Sequence, residues 1–365
     1  MDGRAREARR VSRRDTLKIL GGAGAGLLAG GLVGCGASSG ARPAAGQAPG
    51  GAAQPAPSPA PVKVRIGLTQ GLSEDMYLYL GQDAGVYEAQ GISPEFVELV
   101  DAGTITKALV AREIDVAENS PGPTLSASSK GAPLVIVGAS KPKLNIALYV
   151  RPGITQLEDL YGKTIGTASP GSFLHSLVVA MFEAKGLDLS RVSFANVGPS
   201  PVVFQAVTQG KVDAGAATID FLPTAQRAGN PTVLLYFHDV LPKFFRQGII
   251  MHRDYLSSQP DAAVRLLKAW ANSLRYSLDH RDEWVAKTAQ RYDRPVDDVA
   301  WYFDWMYTNR VVAPDLDFDE GMVDFMQDEN LKSGAQDAAL PFDRVATLDL
   351  QRRVVADLGP YRWPS

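Results

Sequence analysis

Two spacings of apolar residues alternate along positions 62–365. Short blocks of apolar residues read as strands, and longer runs repeating at i, i+3 and i+4 read as helices. The first unit predicts a strand over 63–68, a helix over 76–89 closed at Gly91, a strand over 95–99, a helix over 104–112 and a strand over 114–117. A second unit repeats that order. Its strand over 164–167 leads to a helix on which Phe173, Leu174, Leu177, Val178, Met181 and Phe182 share one face, closed at Gly186. A strand over 192–196, a helix from Ser200 to Gly210 and a strand over 212–216 complete it. The punctuation fits: Ser172 is a good N-cap, Pro201 suits a first helical position, and Gly91 and Gly186 stand where a helix end turns left-handed.

The two units also match residue by residue. "VYEAQGI" (86–92) falls on "MFEAKGL" (181–187), "ALVAREIDVAENS" (108–120) on "AVTQGKVDAGAAT" (206–218) and "VRIG" (64–67) on "KTIG" (163–166), at offsets of 95, 98 and 99. A repeat this long describes a lobe, not a solenoid turn. The expected fold class is therefore α/β: two lobes, each a mostly parallel sheet flanked by helices, with a hinged cleft between them. Apolar strands at 133–140 and 144–150 lead out of the first lobe and "RQGIIMH" (246–252) leads back. Residues 62–150 with 245–365 then form lobe 1, and 151–244 form lobe 2. The remainder is helical, and Trp301, Tyr302, Phe303, Trp305 and Tyr307 read there as core or as a stacking face.

Ligands of open α/β sheets lie beyond the carboxyl ends of the strands. That rule selects 70–75, 118–122, 169–173 and 218–220, two segments from each lobe. Ser169-Pro170-Gly171-Ser172 opens a helix whose free N–H groups can hold a carbonyl or anionic oxygen. Asn119 can both donate and accept. For Asp75 and Asp220 two readings stay open, ligand contact or N-cap and turn residue, and His175 reads as a packing residue.

The amino-terminal segment is of another kind. Residues 1–18 carry seven basic groups against three acids, and 19–34 are apolar but hold seven glycines in sixteen residues. That run is too short and too weakly apolar to span a bilayer, and it describes a signal peptide over 1–34. "SRRDTLK" (12–18) resembles a twin-arginine export signal, and Leu32-Val33-Gly34-Cys35 resembles a bacterial lipobox in which Cys35, the single cysteine of the chain, takes a diacylglyceryl group. Residues 36–61 hold six Pro, five Gly and nine Ala with no aromatic or branched apolar residue, so 35–61 is expected to be a disordered tether. With +4 in 1–34 and −3 for the whole chain, the remainder stands at −7, which argues against nucleic acid. One cysteine and four histidines offer no metal-ligand spacing and no nucleophile–base pattern.

"GAPLVIVGAS" (131–140), "LEDLYGKTIGTASPGS" (157–172) and "QGKVDAGA" (209–216) resemble solute-binding proteins of ABC importers, in the branch that binds thiamine pyrimidine precursors, alkanesulfonates, taurine and nitrate. The resemblance covers about 62–310. It implies a monomeric, extracytoplasmic binding protein without cofactor or enzymatic activity, anchored to the membrane by lipid on Cys35 and docking on permease and ATPase subunits. By position its ligand contacts fall on Ser73 and Asp75, Asn119 and Ser120, Ser169, Gly171, Ser172 and Phe173, and Thr218 and Asp220. The four cleft segments contain Glu74, Asp75, Glu118 and Asp220 but no Lys or Arg, with Lys141 and Lys143 flanking them. That charge pattern predicts a neutral ring, a pyrimidine vitamin precursor or a flavin such as riboflavin, ahead of an alkanesulfonate, taurine or nitrate.

Overall fold

The computed structural model describes residues 61–363. The expected signal peptide, the expected lipidation site Cys35 and all but the last residue of the expected tether lie outside the described residues. Val64, Ile66 and Leu68 bury one face of β1 (Val62–Thr69), which runs parallel to β2 (Ile92–Leu99) over its whole length and to β3 (Val116–Asn119) on its other side. The chain continues through β4 (Leu134–Lys141), β5 (Ile146–Val150), β6 (Thr164–Thr167), β7 (Ser193–Asn196), β8 (Ala214–Thr218), β9 (Thr232–Tyr236) and β10 (Gln247–His252). Two five-stranded sheets result, in the orders β2-β1-β3-β10-β4 and β7-β6-β8-β5-β9. One maps onto the other strand for strand, and the expected two-lobe α/β class holds. In each, the fourth place is taken by an antiparallel strand arriving from the other lobe: β10 between β3 and β4, β5 between β8 and β9.

The sequence repeat extends to single hydrogen bonds. Asp115 accepts the Arg65 backbone N–H at 2.8 Å and returns its own N–H to the Arg65 carbonyl at 2.9 Å; Asp213 exchanges the same two bonds with Thr164, both at 2.9 Å. Each aspartate thus ties the residue just before one strand to its parallel neighbour, Asp115 before β3 to β1 and Asp213 before β8 to the start of β6.

Three expectations shift. The strand at 146–150 pairs with β8 and β9, so the chain leaves the first sheet at 142–145 and not at 150. The helix over 76–89 is two helices, Met76–Asp83 and Val86–Ala89, because Gly85 between them adopts a left-handed φ of 72°. The third strand lies at Val116–Asn119 rather than 114–117, which makes Asn119 its last residue. Around the first sheet, the helix Pro260–Asp279 buries Ala263, Leu266, Leu267, Trp270 and Leu274 against the strand residues Val64, Ile66 and Val116. The stripe on Phe173–Ala184 is buried as its spacing predicts. Tyr302 and Phe303 are core, packed with Trp284 and Met306, and Trp301 and Trp305 are partly buried between that cluster and the second lobe. Among the described residues no helix is long and apolar enough to cross a membrane.

The tightest helix contact is at Gly81 on Met76–Asp83, where a Cβ would stand 2.5 Å from Ser273 Cβ and 3.2 Å from Ser273 Cα. Replacing Gly81→Ala is expected to lower stability by about 1–3 kcal/mol through overpacking, and adding Ser273→Gly to recover part of the loss. Denaturant melts of the two variants check this; a Gly81→Ala protein as stable as the parent would refute the contact.

Candidate functional site

The carboxyl ends of parallel strands and the amino end of an antiparallel one meet at a single place between the sheets. Thr69 and Asn119 come from the ends of β1 and β3, Ala168 from just beyond β6, and Arg246 and Gln247 from the start of β10. Four helices begin there as well: Ala102–Val110, Pro121–Ser129, Phe173–Ala184 and Ser200–Thr208. Their first N–H groups have no partner inside their own helices, and their dipoles favour an electron-rich ligand. The cavity holds about 400 Å³ of space between these residues, part of it open to solvent.

Four side-chain oxygens in its wall are buried and have no partner within the protein: Asn119 Oδ1, Ser120 Oγ, Ser172 Oγ and Gln247 Oε1. Ser120 and Ser172 occupy N-cap positions yet make no capping bond. Asp101 behaves in the ordinary way, accepting from the Thr104 N–H at 2.8 Å and from the Ser169 hydroxyl. Burial pushes its carboxyl up, but those bonds outweigh burial and hold it below the usual range. Phe173 forms an apolar wall, with the Arg246 guanidinium 4.4 Å from its ring centre and Phe244 at its edge, 6.0 Å away.

The expected absence of cations is corrected here. Every carboxylate of the selected segments faces a buried base that sequence distance conceals. Lys141, fully buried at the end of β4, reaches Asp75 at 2.6 Å and Glu118 at 2.5 Å. Glu118 also accepts from Tyr77 at 2.7 Å and Ser140 at 2.5 Å. Arg246 reaches Glu74 at 2.5 Å, and Arg294 reaches Asp220 at 2.6 Å. Burial raises the Asp75 carboxyl to about 8 despite Lys141, with Glu118 and Glu74 adding to the rise. For Lys141 burial pulls the ammonium down, and Asp75, Glu118 and Glu74 outweigh it and hold it above its ordinary value.

Arg246 also closes a ring of hydrogen bonds at the hinge. Its Nη2 donates to Glu74, its Nε to Asn145 Oδ1 at 2.9 Å, Asn145 Nδ2 donates to Tyr302 Oη at 2.6 Å, and Tyr302 donates to Glu74 at 3.1 Å. Asn145 lies on the outgoing crossing between the sheets and Arg246 on the returning one.

Of the residues expected to touch ligand, Asn119, Ser120, Ser172 and Phe173 line the cavity. Ser73 instead donates to Asp220 at 2.8 Å, and Thr218 donates to the other Asp220 oxygen at 2.5 Å. Asp75 is engaged by Lys141, Ser169 by Asp101, and Gly171 is exposed with its N–H on His175 Nδ1. Arg246, Gln247 and Ser200 line the cavity without having been singled out. The signal for the first two was present: an antiparallel strand brings its amino end, not its carboxyl end, to the cleft. Among the described residues no group of three or more His, Cys, Asp or Glu side chains is placed to hold a metal ion.

A family model described as NMT1/THI5 like matches residues 73–284, more than half of the chain. No curated protein sequence matches. Among solved structures, the periplasmic aliphatic sulphonate binding protein of Escherichia coli is 20% identical with a TM-score of 0.62, over 78% of this chain and 92% of that one. The periplasmic nitrate-binding protein of Synechocystis PCC 6803 is 15% identical with a TM-score of 0.69, over 82% and 89%. A ligand binding component of an ABC-type import system from Staphylococcus aureus is 13% identical with a TM-score of 0.66, over 80% and 99%. At these identities the likeness is one of fold.

The raised Asp75 carboxyl has a consequence for stability. The folded chain keeps a proton that the unfolded chain releases above its ordinary value of 3.8, so this group lowers stability as pH rises from about 4 to about 8. Asp75→Asn keeps the shape and removes the titration. Its stability, measured by denaturant unfolding at pH 5 and pH 8, is expected to fall less over that interval than the parent's. Equal falls in the two proteins would refute the assignment.

Proposed function

The chain belongs to the NMT1/THI5-like family, and we propose that it is the solute-binding component of an ABC-type importer, working outside the cytoplasm and passing one small solute to permease and ATPase subunits. The observation that carries this reading is the convergence of four partnerless buried oxygens on one cavity lined from both lobes. A buried polar group costs about 1–3 kcal/mol when left unsatisfied, and a small ligand that satisfies several at once is strongly held. The wall pairs no nucleophile with a base, which favours capture over turnover. The importer component from Staphylococcus aureus supports the reading by fold, and the two periplasmic binding proteins support an extracytoplasmic place.

For the ligand we propose a single heteroaromatic ring of the thiamine pyrimidine type. Phe173 offers an apolar wall, and the oxygens of the cavity suit a ring edge bearing N–H groups. Arg246 favours a second reading, an alkanesulfonate, taurine or nitrate, because a guanidinium in the wall can meet an oxyanion. Calorimetry of the mature domain with a hydroxymethylpyrimidine, riboflavin, taurine, an alkanesulfonate and nitrate separates them. The pyrimidine is expected to bind at micromolar affinity or better, about −8 kcal/mol. Heat from the anions alone overturns the ring, and heat from none of the five overturns capture.

Cys35 and the lipobox-like residues before it support a lipid anchor. A Cys35→Ser protein is expected in the soluble fraction with unchanged ligand affinity. Retention on membranes as firm as the parent's would refute the anchor.

A further inference from the structure

We propose that Asn119 sets the specificity of the cavity by holding its side-chain oxygen as a fixed hydrogen-bond acceptor, so that the ligand must present an N–H or O–H donor to it. The inference rests on the capture reading above and deepens it.

An asparagine amide can ordinarily turn over and offer either its oxygen or its NH2 group. Here it cannot. Asn119 Nδ2 stands 3.0 Å from the Ala102 carbonyl oxygen and 3.0 Å from Thr106 Oγ1. The carbonyl accepts only. The threonine hydroxyl has already given its proton to that same Ala102 carbonyl, at 2.9 Å, so toward Asn119 it too can only accept. Turning the amide would set its oxygen against the Ala102 carbonyl oxygen and take the threonine proton from that carbonyl. The two acceptors, 2.9 Å apart on one side of Nδ2, therefore hold the orientation of the amide, and Oδ1 is fixed pointing away from them. That oxygen is buried, has no partner in the protein and belongs to a residue of the cavity wall that is 1% exposed.

The Ser120 and Ser172 hydroxyls of the wall rotate to donate or accept, and the helix-start N–H groups and the Arg246 guanidinium only donate. Asn119 Oδ1 is the wall group held fixed to accept. A ligand whose polar atoms are all acceptors, such as nitrate or a simple alkanesulfonate, would bring an oxygen against Oδ1 or leave it unpaired. A ligand with an amino, amide or ring N–H satisfies it. Sites built around a fixed polar group discriminate strongly against analogues that cannot pair with it.

The test uses two pairs of probes that differ by replacing the single hydrogen-bond donor group with a methyl group of about the same size and leave the charge unchanged: 4-amino-2,5-dimethylpyrimidine against 2,4,5-trimethylpyrimidine, and 2-hydroxyethanesulfonate against propane-1-sulfonate. The donor-bearing member of whichever pair binds is expected to bind roughly tenfold to a hundredfold more tightly. Asn119→Leu is expected to abolish that preference, weakening the donor-bearing probe while leaving or improving the other. Because this substitution also removes the bond that holds the helix start at Ala102, Thr106→Val serves as a second variant. Thr106 lies behind Asn119, outside the cavity wall. Its replacement removes one of the two acceptors that orient the amide, and is expected to shrink the preference while the fold melts cooperatively. Equal affinities within each pair for the parent protein overturn this inference and leave the capture reading standing. A preference unchanged in both variants overturns it as well. Binding by none of the four probes, with none of the five solutes above bound either, overturns both.

Discussion

Charges held away from water decide which remote segments of this fold must meet. An ion moved out of water costs several kcal/mol even after the protein relaxes around it. Lys141 and Arg246 bear that cost almost without exposure, and Arg294 nearly so. Each is tolerated only while its carboxylates stay in place, so each fixes segments that are remote in sequence. Lys141, at the end of β4, holds the loop after β1 through Asp75 and the end of β3 through Glu118. Arg294 holds the turn after β8. The raised Asp75 carboxyl follows from the same arrangement, because one ammonium between two buried carboxylates leaves room for one proton. With that proton in place the inner charges nearly balance, and the cavity beside them is neither strongly acidic nor strongly basic.

The sequence made the architecture legible because the repeat and its punctuation are local. Asp115 and Asp213 sit at equivalent places in matched segments and make the same bonds. Ser172 marked the helix start that reaches the cavity, and the strand-end rule found Asn119 and Ser120. What stayed hidden was non-local. No spacing relates Glu74 to Arg246 or Asp75 to Lys141, and the partners meet only after both sheets have formed. Counting charges on four loops therefore returned a cleft of carboxylates without cations. The strand-end rule also has a blind side: it holds for parallel strands, whereas β5 and β10 run the other way, which is why Arg246 and Gln247 escaped it.

Arg246 joins two properties that could have been separate. It forms part of the cavity wall, and through Asn145 and Glu74 it ties together the two strands of chain that cross between the lobes. Its guanidinium also covers the Phe173 ring, on the first turn of a helix from the second lobe. A ligand that presses on Phe173 or bonds to Arg246 therefore acts on the hinge directly. Tyr302 closes the ring from a third direction, so the aromatic run at 301–307 supports the hinge as well as filling a core.

The polar groups of the cleft divide into two sets with opposite behaviour. At the rim they pair across the lobes: Ser73 and Arg294 with Asp220, Asp298 with Arg227 and Thr224, Asp101 with Ser169. Several residues that the strand ends singled out as ligand contacts belong to this set. Inside, Asn119, Ser120, Ser172 and Gln247 keep oxygens without partners. Separating the lobes breaks these pairs and hydrates the interior oxygens. Closure reverses both effects and takes water away from the interior oxygens. The interior oxygens therefore oppose closure unless something else satisfies them. A ligand shifts a two-state equilibrium only by its difference in affinity between the states, and here that difference is greatest for a solute that meets those oxygens only when the rim is sealed.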